Sequence, residues 1–155
     1  MQNMLRKSVV GVYITSYFLY RIRKILKLSI RKFHPYFDMT YSYYYKIEQL
    51  KTSLDLSFVF YVLETFDLNL YDLQKVIDLI EDFIRESDKF DVPYESDKIS
   101  ESTLNLLSLM CDSVLDIKNV EHFDEILGFK AVAEVDELIY NMIKDSDTYK
   151  EALKK

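Results

Sequence analysis

Cysteine is almost missing from this chain, and its single copy, Cys111, rules out an internal disulfide framework. A lone thiol flanked by Leu109, Met110 and Asp112 reads as a buried, inert side chain on a helix, and points to a reducing intracellular compartment. Glycine is nearly as scarce. With Gly11 and Gly128 alone, neither GxGxxG nor GxxxxGK can be written, which removes the familiar phosphate-cradling loops. Two glycines and two prolines also leave little material for tight hairpins and βα turns, so helices joined by short polar loops are expected. The two histidines, His34 and His122, lie far apart, and no CxxC, HxxxH or ExxH spacing sets two ligands on one face. No metal site, no cofactor, no catalytic residue and no small-molecule substrate is therefore expected.

Negative charge is what the first 37 residues lack. Arg6, Lys7, Arg21, Arg23, Lys24, Lys27, Arg31 and Lys32 precede the first carboxylate, Asp38, whereas the remainder of the chain holds all 26 Asp/Glu against 12 Lys/Arg. Residues 1–37 thus read as a basic, apolar N-terminal helical arm, and 38–155 as an acidic helical domain. A chain of 155 residues that is 49% hydrophobic belongs with single folded domains rather than with disordered chains. Tryptophan is absent, but 13 Tyr and 10 Phe must fill much of the interior.

Ser8 to Tyr20 carries no charge, yet its 13 residues fall short of the roughly 17–25 that a bilayer-spanning helix requires. Arg21-Ile22-Arg23-Lys24 follows it in place of a small-residue cleavage site, so a secretory signal fits poorly. From Arg21 to Phe33 the spacing predicts one amphipathic helix. Ile22, Ile25, Leu26, Ile30 and Phe33 form an apolar stripe, while Arg21, Arg23, Lys24, Lys27, Arg31 and Lys32 cover the rest and would orient it. His34-Pro35 should end that helix.

Thr40 is the expected N-cap of a helix opened by Tyr41, Tyr43, Tyr44 and Tyr45. Ser53 is a candidate restart. Leu54 to Phe66 is apolar on nearly every side and is expected to be the central, most buried helix, with Leu70–Ile84 and Val132–Met142 packed around it. Asn69 caps a strongly periodic helix running to about Glu86, and Ser87–Lys98, with Pro93, reads as a loop. Ser100 or Ser102 then starts a helix through Leu104, Leu107, Cys111 and Val114. Asn119 opens a short helix that Gly128 closes as a left-handed C-cap. A long helix from about Ala131 to Lys144 follows, and Ser146 caps the last turn.

Two short stretches resemble known families. Glu134–Asp147 (EVDELIYNMIKDSD) resembles the incoming helix of a calmodulin-type hand, but the loops at Asp67-Leu68-Asn69 and Asp145-Ser146-Asp147 lack the sixth-position glycine and closing glutamate. Asp67–Leu73 (DLNLYDL), with Phe90–Pro93 and Asp97-Lys98-Ile99, is similar to the centre of acyl carrier proteins. Asp72 stands where that resemblance would require the serine that carries phosphopantetheine, so no prosthetic group could be attached.

The sequence thus predicts an all-α bundle of five to seven helices without catalytic machinery. The expected function is a non-catalytic intracellular interaction module, an adaptor, inhibitor or complex subunit, that binds another protein or a sister chain through an apolar helix face or groove. The alternative is a peripheral or single-anchor membrane protein, with Ile22, Ile25, Leu26, Ile30 and Phe33 set into an anionic membrane surface. A further reading of the same arm is that it docks on its own acidic body or on a sister chain, its apolar faces merging into one core, and organellar, including mitochondrial, import is a lesser one. The net charge of −6 disfavours nucleic acid, because the acidic remainder repels phosphate.

Overall fold

The computed structural model describes residues 2–52, 54–86 and 117–154, with side chains from Tyr13 onward other than that of Arg85. The expected loop at 87–98 and the helix through Leu104, Leu107, Cys111 and Val114 lie outside the described residues, as does Ser53. Within them the protein is all-α. Its elements are α1 (Gln2–Ile25), α2 (Ile30–Phe33), a 3-10 turn (His34–Phe37), α3 (Tyr41–Glu48), α4 (Leu56–Thr65), α5 (Leu70–Glu86), α6 (Glu121–Ile143) and α7 (Asp147–Ala152).

Caps decide where most of these helices start. Thr40 Oγ1 accepts from the Tyr43 N–H at 3.1 Å, and Ser146 Oγ accepts from the Tyr149 N–H at 3.2 Å, as the sequence predicts. Asp55 starts α4 by accepting the Phe58 N–H at 3.1 Å. At the head of α5, Asn69 and Asp72 exchange bonds, each side chain accepting the other's backbone N–H at 3.0 Å. Asp72 is therefore one half of a capping box.

Helix ends show the cost of scarce glycine. Lys27, Asp38, Leu50 and Asp67 all take positive φ, between 54° and 56°, where a glycine would be unstrained. Behind Lys27, Leu50 and Asp67 the chain closes paired backbone bonds of the Schellman type: Leu28 N–H to Arg23 O, Lys51 N–H to Lys46 O, and Leu68 N–H to Leu63 O.

The first of these breaks corrects a prediction. Arg21–Phe33 is not one helix: α1 ends at Ile25, Lys27 turns left-handed, and Ser29 caps a new four-residue helix. Breaking there buries Leu28, which lay outside the predicted stripe. The prolyl stop holds, since α2 ends at Phe33 and Pro35 continues only a 3-10 turn.

A second correction concerns the centre. The helix at Leu54–Phe66 forms, but it buries only Val62 and Leu63 within its span, and Phe66 just beyond it. The middle of the bundle is α1, which packs on α5 and α6 and touches α3. Ile14, Tyr17, Phe18, Leu19, Tyr20 and Ile22 are all buried there, in one cluster with Val76 and Ile80 of α5 and Val135 and Ile139 of α6. Full burial of side chains this size contributes about 1.5–3 kcal/mol each, so this contact dominates the stability of the described core.

Gly128 departs from expectation as well. It has positive φ, 82°, but an extended ψ of 164°, and the helix resumes at the next residue instead of giving way to a loop. α6 is thus two helical pieces joined at one kink. No atom lies within 4 Å of where a Cβ would sit, so backbone conformation alone demands glycine there.

Candidate functional site

The predicted apolar stripe is largely consumed inside the chain. Ile22, Leu26 and Phe33 are buried, and Ile25 and Ile30 are half-buried against the same cluster. Phe33 meets Phe37 and Tyr44 edge-on, with ring centroids 5.0 and 5.5 Å apart. The structure therefore does not bring the five residues out as one exposed face. A stripe read from spacing identifies the apolar side of a helix but not what covers it.

The six orienting charges divide into two groups. Arg21 and Arg23 turn inward. Arg21 donates through Nε to Asp136 Oδ1 at 2.8 Å and through Nη1 to Asp124 at 3.3 Å. These two carboxylates lie on either side of the Gly128 kink, so one guanidinium ties both pieces of α6 to α1. Tyr17 and Tyr20 complete the cluster by donating their hydroxyls to Asp124 at 2.6 and 3.2 Å. Arg23 grips Glu48 through Nε and Nη2 at 2.7 and 3.0 Å, and its Nη1 donates to the Leu28 carbonyl at 2.9 Å. The Tyr44 hydroxyl also donates to Glu48, at 2.6 Å.

Titration follows from this geometry. Burial would lower both guanidinium values, but Asp136 and Asp124 outweigh it for Arg21 and Glu48 does so for Arg23, so both rise. Burial, then the neighbouring carboxylate, pushes Tyr44 and Tyr17 well above the ordinary phenol and Tyr20 up to about 12. These two arginines and three tyrosines are thereby held in the protonation state they have at neutral pH. A hydrogen-bonded network of this kind suits structural clamping, because its arginines and tyrosines are moved further from exchanging a proton near neutrality.

Lys24, Lys27, Arg31 and Lys32 point outward. All four are exposed and have no ion-pair partner among the described residues. The Arg23–Glu48 bond draws the C-terminal ends of α1 and α3 together, so exposed Lys46 and Lys51 belong to the same end of the molecule.

Both histidines serve local structure. His34 Nδ1 bonds the Met39 carbonyl oxygen at 2.6 Å, and His122 Nδ1 accepts the Lys118 N–H at 3.1 Å. Among the described residues no three His, Cys, Asp or Glu side chains are grouped to hold a metal ion, and no helix is long and apolar enough to cross a membrane. A small apolar cleft lies between α1, α4 and α5, lined by Thr15, Phe18, Leu19, Val62, Leu63 and Leu73 among others. It offers no charged group to orient a ligand.

The feature that sequence spacing missed is the outer side of α4. Leu56, Phe60 and Tyr61 are 66%, 42% and 45% exposed, and Leu70 and Tyr71 are exposed in the first turn of α5. Uniform hydrophobicity concealed this. On a helix apolar all round, periodicity cannot show which side faces solvent.

The fold defines an all-α protein whose core is clamped by part-buried arginine–carboxylate pairs. Set against known protein families, curated proteins and solved structures, the chain matches none.

Proposed function

We propose that the protein is a non-catalytic helical interaction module that binds another protein through the outer face of α4, in a reducing intracellular compartment. The observation that carries this reading is the placement of Leu56, Phe60 and Tyr61 on the outer side of a helix whose other side is anchored by Val62, Leu63 and Phe66. Leu56 and Phe60 stand four apart and therefore one above the other, the spacing used by helix-in-groove contacts. Aromatic side chains presented on a firm scaffold are also the usual energetic centres of such contacts.

The test compares affinity capture from extracts of the source cells by the full chain and by a Leu56→Asp/Phe60→Asp variant. A specific partner retained by the first and lost from the second supports the reading. Identical recoveries from the two would end it.

A second reading, attachment to an anionic membrane, is favoured by a different observation: the exposed Lys24, Lys27, Arg31 and Lys32, which have no ion-pair partner among the described residues. It uses the charges proposed from the sequence without the stripe, so binding would be electrostatic and reversible. Flotation with anionic liposomes at low salt should then recover the chain but not a variant with all four residues changed to glutamate.

A further inference from the structure

We propose that the partner element seated on α4 is a basic amphipathic helix of another protein. This rests on the interaction reading above and adds the partner's chemistry.

Negative charge accompanies the apolar face of α4. Between Lys51 and Lys75 the chain holds four carboxylates, Asp55, Glu64, Asp67 and Asp72, and no cation. Asp55 caps the start of α4, Glu64 lies on its exposed side, and Asp67 follows its end. The Ser57 hydroxyl and the Phe58 N–H hold Asp55 below the usual carboxylate range, so it stays charged. Glu64 and Asp67 have no ion-pair partner among the described residues. Asp72 is committed to its capping box and is left out of the surface.

Leu56, Phe60 and Tyr61 therefore sit on a helix about 15 Å long that has Asp55 at its start, Glu64 in its last turn and Asp67 just past its end. An apolar stripe flanked by Lys or Arg complements it on both counts. Two other occupants fail on charge. A second copy docked face to face would set these carboxylates against their own counterparts, and an anionic membrane would be repelled by them. The chain's own basic stripe is already buried, through Ile22, Leu26 and Phe33.

The test uses the full chain and a pair of fluorescent synthetic helical peptides of about five turns, roughly 18 residues, with the same leucine stripe and either Lys/Arg or Glu flanks. Anisotropy titration should show the basic peptide binding at least about tenfold more tightly than its acidic twin, with affinity falling as salt rises. Leu56→Ser/Phe60→Ser should abolish binding, and Glu64→Lys/Asp67→Lys should weaken it severalfold, with helicity by circular dichroism unchanged in both. Equal affinity for the two peptides would overturn the basic partner. If that shared binding were also lost in Leu56→Ser/Phe60→Ser, the interaction reading would survive. Binding of the basic peptide that ignores Leu56→Ser/Phe60→Ser would overturn both. A dimer of the full chain that dissociates on the same substitution would assign the face to a second copy and overturn the proposal.

Discussion

The two helices at the extremes of the sequence pattern, α1 and α4, exchange the places that pattern alone would give them. α1 ends in a cluster of cations and yet is the middle of the bundle, whereas α4 contains only one charged residue within its span, Glu64, and turns three large apolar side chains to solvent. The reason lies in compensation. A cation enters a core when carboxylates and hydroxyls meet it in good geometry, as Asp124, Asp136 and Glu48 do here. An apolar side chain stays outside when no neighbouring element arrives to cover it, and single exposed apolar residues are ordinary on protein surfaces. Three on one helix face, with carboxylates at both ends of the helix, are less ordinary and are the basis of the functional proposal.

Substitutions should reproduce that contrast, with the largest losses in α1. Phe18→Ala empties a fully buried site and should cost about 3–5 kcal/mol in urea unfolding, whereas Phe60→Ala should stay within about 0.5 kcal/mol. Near-equal losses at the two positions would erase the distinction.

Arg23→Met should cost about 3–5 kcal/mol as well, because it strands Glu48, whose side chain is only 6% exposed. Adding Glu48→Gln, which leaves an acceptor for the Tyr44 hydroxyl, should recover more than half of the loss. A double variant as unstable as the single one would mean that the cost is not that of an unpaired charge.

The hydroxyls around these ion pairs give a pH signature. Tyr17, Tyr20 and Tyr44 ionise above the value of about 10 expected in the unfolded chain. Between that value and their native ones the unfolded state binds fewer protons, so stability falls as pH rises. Their contribution is intact below about pH 10 and drains away through pH 12, where Tyr20 itself ionises. Tyr17→Phe should flatten that decline in melting temperature and cost about 1 kcal/mol at neutral pH through the lost bond to Asp124. An unchanged alkaline slope would place the sensitivity elsewhere.

Smaller effects come from the backbone. Gly128→Ala should destabilise by about 1–2 kcal/mol, because alanine is strained at φ 82°, ψ 164°. Lys27→Gly and Asp67→Gly should each stabilise by roughly 0.5 kcal/mol in denaturant unfolding by relieving positive φ in exposed residues.

Local features were legible in the sequence because their causes are local. Thr40, Asn69 and Ser146 are caps by virtue of their own oxygen atoms and the next three residues, and the prolyl stop at Pro35 likewise needs no tertiary information. The helical class followed from scarce Gly and Pro and from the long periodic segments. Placement in the bundle did not, because it depends on partners a hundred residues away: Arg21 meets Asp124 and Asp136, and Tyr17 meets Asp124.

One signal was nevertheless there to find. Carrying the helix of Ile22 back through the uncharged run puts Ile14, Tyr17 and Arg21 on a single side, so an arginine in line with buried positions foretold an inward ion pair. Nothing comparable marked the outer side of α4. Leu56 and Phe60 look like core residues in any reading that counts only hydrophobicity.

Urea unfolding of the full chain beside one beginning at Asp38, followed by circular dichroism, tests most directly whether the cationic helix is the centre of the bundle. Loss of a cooperative transition in the shorter chain is the predicted result. A shorter chain that unfolds cooperatively, with stability equal to that of the whole, would contradict the account.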